Sequence, residues 1–160
     1  MKNKGFSLIE VMVVLILISL SMFLATPLFS GLSKTVELKG AVKKVSAILR
    51  YCRSEAVNQG KVYQVLFDPD LREVRVQPIE EKEEEGAKDK SNQKSYTLPK
   101  GVDIREVKAE SPLYPSDYSV IEFYPNGGSN GGTIRLDSQD RKGYRIKIDF
   151  LTGVVKIERV

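Results

Sequence analysis

Glu10 is the first residue whose surroundings raise a chemical question. It stands at the head of an almost unbroken apolar run, Val11 to Ala25, interrupted only by Ser19 and Ser21. A carboxylate in a membrane-length apolar helix costs about 2.5 kcal/mol or more at the centre of a span, and less near the interface. Glu10 therefore either reaches back to polar headgroups or pairs with a cation. The run holds no Lys or Arg, so a cation has to come from outside. A newly exposed α-amine on a neighbouring subunit would serve.

The other reactive residue types are sparse. The chain has no His and no Trp, so the commonest general base and the commonest metal ligand are both missing. A lone Cys52 cannot form an internal disulfide. It falls on an apolar helical stripe and reads as a buried core thiol rather than a reactive one. Asp68 with Asp70, and Asp137 with Asp140, are the close carboxylate pairs worth weighing for catalysis or a cation. Both read as turn residues, and neither has the ligand spacing of an EF-hand. Asn126 to Gly132 is rich in glycine, but a phosphate cradle needs a Gly-Lys-Ser/Thr ending or a following helix. A strand pattern follows instead, so the stretch is expected to be a flexible connection. No catalytic residue, cofactor site or metal ligand is expected, and the chain is not read as an enzyme.

The formal net charge is +4, and it halves if the stretch carrying Lys2 and Lys4 is removed. That is too small to argue for nucleic acid by itself. Arg135, Arg141, Lys142, Arg145, Lys147, Lys156 and Arg159 do bias the C-terminal third. Alternating charges on the wet face of a sheet account for most of this, and DNA binding is the alternative.

The elements that must position these residues follow from periodicity. From Phe6 to about Leu28 the chain is long enough to span a bilayer, which takes roughly 20 residues. Lys2 and Lys4 precede the run, and no Lys or Arg follows until Lys34, so the N-terminus is expected in the cytoplasm. A secretory signal peptide would be cut after its apolar core. Here Ala25-Thr26-Pro27 is a poor site, and the short basic leader ends at Gly5, ahead of the run. The hydrophobic helix thus stays on the mature protein. Pro27 should kink or locally open it, and Gly31 and Gly40 weaken it. Ala41, Val45, Ile48, Leu49, Cys52 and Ala56 then mark one face of an amphipathic helix, with Gly60 as its stop.

Beyond Gly60 the period changes to two. Lys61 to Phe67 and Glu73 to Gln77 read as a hairpin around Asp68-Pro69-Asp70. Further strands are expected at Val102 to Val107, Ser119 to Tyr124, Thr133 to Asp137, Tyr144 to Phe150 and Val154 to Glu158, with Leu151-Thr152-Gly153 as a tight turn. The charged stretch from Glu80 to Lys94 reads as a solvated loop or, alternatively, an acidic docking surface. The expected organisation is a leader (1–5), a transmembrane half-helix (6–30), an amphipathic half-helix (31–60) and a β-rich body (61–160). The fold class is α+β, a long helix packed on a mostly antiparallel sheet with one wet side.

Lys4-Gly5-Phe6-Ser7-Leu8-Ile9-Glu10 resembles the class III signal of type IV pilins and type II secretion pseudopilins. The resemblance implies cleavage between Gly5 and Phe6 by a prepilin peptidase and N-methylation of Phe6. It also implies that Glu10 neutralises the Phe6 amine of an adjacent subunit, and it places Pro27 where many pilins bend. Phe123 to Gly127, Gly131 to Leu136 and Thr152 to Ile157 resemble the C-terminal part of a minor pseudopilin family. That family joins protein H of type II secretion to FimT/FimU-like minor pilins. Together these resemblances imply a structural subunit at or near the tip of a periplasmic pseudopilus, with no cofactor. Its implied partners are other pseudopilins or pilins, a prepilin peptidase and an inner-membrane assembly platform. Its implied location is the bacterial inner membrane, single-pass, with the body periplasmic. The alternative is a minor type IV pilin in pilus assembly or DNA uptake.

Overall fold

The computed structural model describes residues 7–79, 94–138 and 143–160, with the backbone alone for 23–34. Ser7 precedes a single helix, α1, Leu8–Gln59. Neither Pro27, Gly31 nor Gly40 interrupts the helix. Gly60 ends it at φ 65, in the left-handed conformation that glycine adopts without a Cβ penalty. The chain divides into two compact units, one ending at Thr35 and one running from Val36 to Val160.

In the second unit the amphipathic stripe does what its spacing requires. Ala41, Val45, Leu49, Cys52 and Ala56 are buried, Ile48 packs half-buried beside them, and Leu38 and Val42 extend the face. Each fully buried Val or Leu contributes roughly 1.5–3 kcal/mol. After the helix come eight strands among the described residues: β1 Val62–Asp68, β2 Glu73–Ile79, β3 Lys94–Thr97, β4 Val102–Ala109, β5 Ser119–Phe123, β6 Gly132–Ser138, β7 Tyr144–Ile148 and β8 Val155–Arg159.

These strands form two antiparallel sheets, β3-β2-β1-β5 and β4-β6-β7-β8. Register follows alternation. In β1 and β2, Val65 faces Val76 and Phe67 faces Val74 on the core side. In the second sheet Ile134 pairs with Ile146, and Ile146 with Ile157. One apolar cluster joins the helical stripe to both sheets, with Phe67, Ile121, Phe123, Ile134, Leu136 and Ile146 fully buried.

The structure departs from the sequence reading in particulars. Strand β3 is additional; it is a short edge strand whose residues are mostly exposed. Strand β4 carries a bulge between Ile104 and Glu106, so its alternation breaks at Arg105. Strand β7 stops at Ile148, because Gly153 N–H closes a turn onto Asp149 O at 2.8 Å. The first sheet is also not wet on its far side, as described below.

Candidate assembly site

The N-terminal segment is described from Ser7. The amide of Glu10 donates to Ser7 O at 3.0 Å, which opens the helix. Glu10 lies in the first turn. A carboxylate there meets the positive end of the helix dipole, worth about 0.3–1 kcal/mol, which offsets part of its desolvation. Its side chain is exposed and has no hydrogen bond or ion pair with any described residue. Around and beyond it the helix is apolar on every face. Leu8, Ile9 and every large apolar residue from Val11 to Leu20 are exposed, as is Met22. The two hydroxyls inside this run are satisfied within the helix. Ser19 Oγ donates to Leu15 O and Ser21 Oγ to Leu17 O, each at 2.8 Å. Neither of these two hydroxyls is left unpaired in an apolar environment.

Among the described residues no helix is long and apolar enough to cross a membrane. The apolar side chains described there end at Met22, short of the roughly 20 residues a span needs. Gly5 and Phe6 lie outside the described residues. Pro27 is placed within α1 by its backbone alone.

The far end of the helix is locked to the body. Arg53 Nε donates to Thr152 O at 2.8 Å and to Gly127 O at 3.1 Å. Arg50 donates to Val155 O at 3.2 Å. The approach is close because Gly153 has φ 62 and no side chain. A Cβ there would stand 2.5 Å from Gly127 O and 3.0 Å from Arg53 Cδ.

The same lock corrects the expectation of a flexible glycine-rich connection. Gly127, Gly128, Ser129 and Asn130 are buried. Asn130 accepts from Glu122 N at 2.9 Å and donates to Val120 O and Glu110 O at 3.1 and 3.0 Å. Ser129 Oγ donates to Asp149 O at 3.1 Å and accepts from Gly131 N at 2.9 Å. The glycines here permit turns; they do not confer freedom.

Sequence reading missed Glu122, which is fully buried. Its Oε1 accepts from Gln64 Nε2 at 3.0 Å and Tyr114 N at 3.1 Å. Its Oε2 accepts from Leu113 N at 2.6 Å and Tyr124 Oη at 3.1 Å. Gln77 Nε2 extends the network by donating to Gln64 Oε1 at 2.9 Å. Burial, then the neighbouring Glu122 carboxylate, push the Tyr124 phenol up to about 12. The two backbone donors belong to residues 110–118, which strap over the outer face of the first sheet. Tyr118 of the strap stacks under Arg75, 4.7 Å from the ring centroid to Cζ. A polar residue in the alternating pattern of β5 reads as solvent-facing; only the strap's return makes it interior.

The remaining candidates are structural. Asp68 accepts from Leu71 N at 3.0 Å and pairs with Arg75 at 3.1 Å, which shapes the β1–β2 turn. Asp137 pairs with Arg135 at 3.1 Å and Arg105 at 3.6 Å, and Asp140 lies outside the described residues. Among the described residues no group of three or more His, Cys, Asp or Glu is placed to hold a metal. Cys52 is buried, and desolvation first, then Glu55, push its thiol up to about 12. Of the basic residues, Arg135, Arg145, Lys147 and Lys156 share the outer face of the second sheet. Arg159 pairs with Tyr144 on the other face, and Arg141 and Lys142 lie outside the described residues.

A long helix whose stripe packs on antiparallel sheets, headed by an apolar segment with one carboxylate, defines a pilin-like α+β protein. Comparison with known proteins narrows the class. Residues 1–26 match the prokaryotic N-terminal methylation motif, and residues 41–152 match the family of type II transport protein GspH. The chain belongs to the GspH family, whose members are structural, non-enzymatic minor pseudopilins of type II secretion. It is 29% identical over 153 residues to type II secretion system protein H of Xanthomonas campestris pv. campestris, covering 96% of this chain and 82% of that one. Its fold is similar to the minor pseudopilin EpsH of Vibrio cholerae, with a TM-score of 0.59, 16% identity, and coverage of 77% of this chain and 97% of that one. It is also similar to the type IV minor pilin FimU of Pseudomonas aeruginosa, with a TM-score of 0.52, 17% identity, and coverage of 76% and 92%. The methylation motif is that of inner-membrane and periplasmic pseudopilins, which have filament partners and are processed by a prepilin peptidase.

Proposed function

We propose that this minor pseudopilin sits at or near the tip of a periplasmic pseudopilus, where it initiates assembly or touches secreted cargo. The observation that carries the reading is the union of a methylation motif over residues 1–26 with a GspH body over 41–152 on one chain. In this account the prepilin peptidase cuts between Gly5 and Phe6 and Phe6 is N-methylated. The apolar helix anchors the subunit once through the inner membrane, with the N-terminus cytoplasmic before assembly and the body periplasmic. An assembly platform lifts it into the filament, and Pro27 supplies a bend.

The physical step is an exchange of environments. The apolar surface from Leu8 to Met22 leaves lipid and packs against neighbouring helices. Lipid tails are as apolar as Leu, so this exchange has little hydrophobic drive and depends on packing and polar pairing. Glu10 supplies the polar pair. Its carboxylate, unpartnered among the described residues, takes the Phe6 amine of an adjacent subunit and so sets axial register. Deleting the gene and measuring both secreted proteins and surface pili tests the reading. Loss of secretion with pili intact is expected. Loss of pili with secretion intact would replace it by the minor-pilin reading.

A further inference from the structure

The outer face of the second sheet carries charge in a pattern that folding does not ask for. Register sets Lys108, Thr133, Lys147 and Lys156 side by side in one rung across β4, β6, β7 and β8. The next rung is Glu106, Arg135, Arg145 and Glu158. Lys147 therefore stands directly opposite Lys156, and Arg135 directly opposite Arg145. Like charges directly opposite each other destabilise a sheet, whereas opposite charges there stabilise it. The fold relieves only part of this. Lys108 pairs with Glu106 at 2.7 Å, and Arg135 turns to Asp137 at 3.1 Å. Arg145, Lys147 and Lys156 are exposed. Glu158 stands opposite Arg145 and the Asp149 carboxylate attracts Lys156, but none of the three side chains makes a hydrogen bond or close ion pair with a described residue. The core takes Ile134, Leu136, Ile146, Ile148 and Val155 from the other face, and it is indifferent to what stands outward.

We propose that this face docks an acidic protein surface, whose carboxylates sit over Arg145, Lys147 and Lys156. Strands lie about 4.8 Å apart, so the lysine rung extends about 14 Å, the scale of a few side chains on a partner. Glu106 and Glu158 close both ends of the arginine rung. They repel a uniform polyanion but accept cations from a partner of mixed charge. Duplex DNA carries one charge per roughly 1.7 Å of axis, and an anionic bilayer is similarly unbroken, so both match the flanked pattern less well.

The test is fluorescence anisotropy on the full chain in neutral detergent micelles. The labelled probes are a peptide of alternating Glu and Ser with a Lys at each end, duplex DNA of random sequence, and phosphatidylglycerol carried in mixed micelles of the same detergent. Arg145→Gln with Lys147→Gln and Lys156→Gln removes the face. Lys39→Gln with Lys43→Gln and Lys100→Gln removes the same charge elsewhere. The face variant is expected to bind the peptide about tenfold more weakly, and the control variant within about twofold of the parent. Equal losses in the two variants would overturn the proposal by showing only general attraction. So would failure of the parent to bind the peptide. Tighter binding of DNA or phosphatidylglycerol micelles than peptide, lost in the face variant, would assign the face to that polyanion instead.

Discussion

Glu122→Gln isolates what the buried carboxylate does. The carboxylate accepts from two donors at each oxygen, and each pair contains one strap amide, Tyr114 at Oε1 and Leu113 at Oε2. A glutamine keeps the shape but only one oxygen. In either orientation, one strap amide faces the new NH2 group and loses its acceptor. Leaving a buried donor unpaired costs about 1–3 kcal/mol, and since the strap is only partly buried, about 1–2 kcal/mol is expected here. That corresponds to roughly 5- to 30-fold faster opening. Hydrogen exchange on the full chain in detergent, read on peptides covering residues 110–118, measures it. Those peptides should lose protection by that factor, while peptides covering β1 and β2 keep theirs. Unchanged exchange in the strap would refute the reasoning, as would an equal loss throughout the body.

Other sites give outcomes of their own. Gly153→Ala should destabilise the body by about 2 kcal/mol or more in urea unfolding, since it adds a clash with Gly127 O and Arg53 to left-handed backbone strain. Gly60→Ala, at φ 65 with open space around it, should cost only the strain, about 1–2 kcal/mol; equal costs at the two sites would remove the lock at Arg53. Cys52 should resist iodoacetamide at pH 8 in the folded chain and react once unfolded. Burial pushes its folded thiol up to about 12 from an ordinary value of 9.0, so the unfolded chain gives up its proton first. Stability contributed by the neutral thiol is present below about pH 9 and falls as pH rises toward 12. The stability gap between the parent and Cys52→Ala should narrow across that window, and a constant gap would contradict it. Glu10→Ala should leave N-terminal cleavage intact and lower incorporation into filaments; unchanged incorporation would remove the register role of Glu10.

Much of the architecture was legible because it rests on local periodicity. The stripe from Ala41 to Ala56, the stop at Gly60 and the alternation in β1, β2, β6 and β7 each follow from the spacing of apolar residues. What escaped depends on partners distant in the chain. Lys94 to Thr97 becomes a strand only because β2 lies beside it, with Val74 opposite Tyr96. The division into two sheets has no local signature. Glu122 reads as solvent-facing until the strap returns over it. Asn126 to Gly132 looks loose from composition and is instead held by Asn130, Ser129 and Arg53. At the candidate site the reverse held. Glu10 stood out in sequence because a charge breaks an apolar run, and the fold adds its place at the positive end of the helix.

The central claim is that the chain is a processed filament subunit, and its N-terminus tests that most directly. Mass spectrometry of the protein recovered from membranes should find a mature chain that begins at Phe6 with a methylated α-amine. A chain beginning at unmethylated Met1, or one cut after Ala25, would contradict the account.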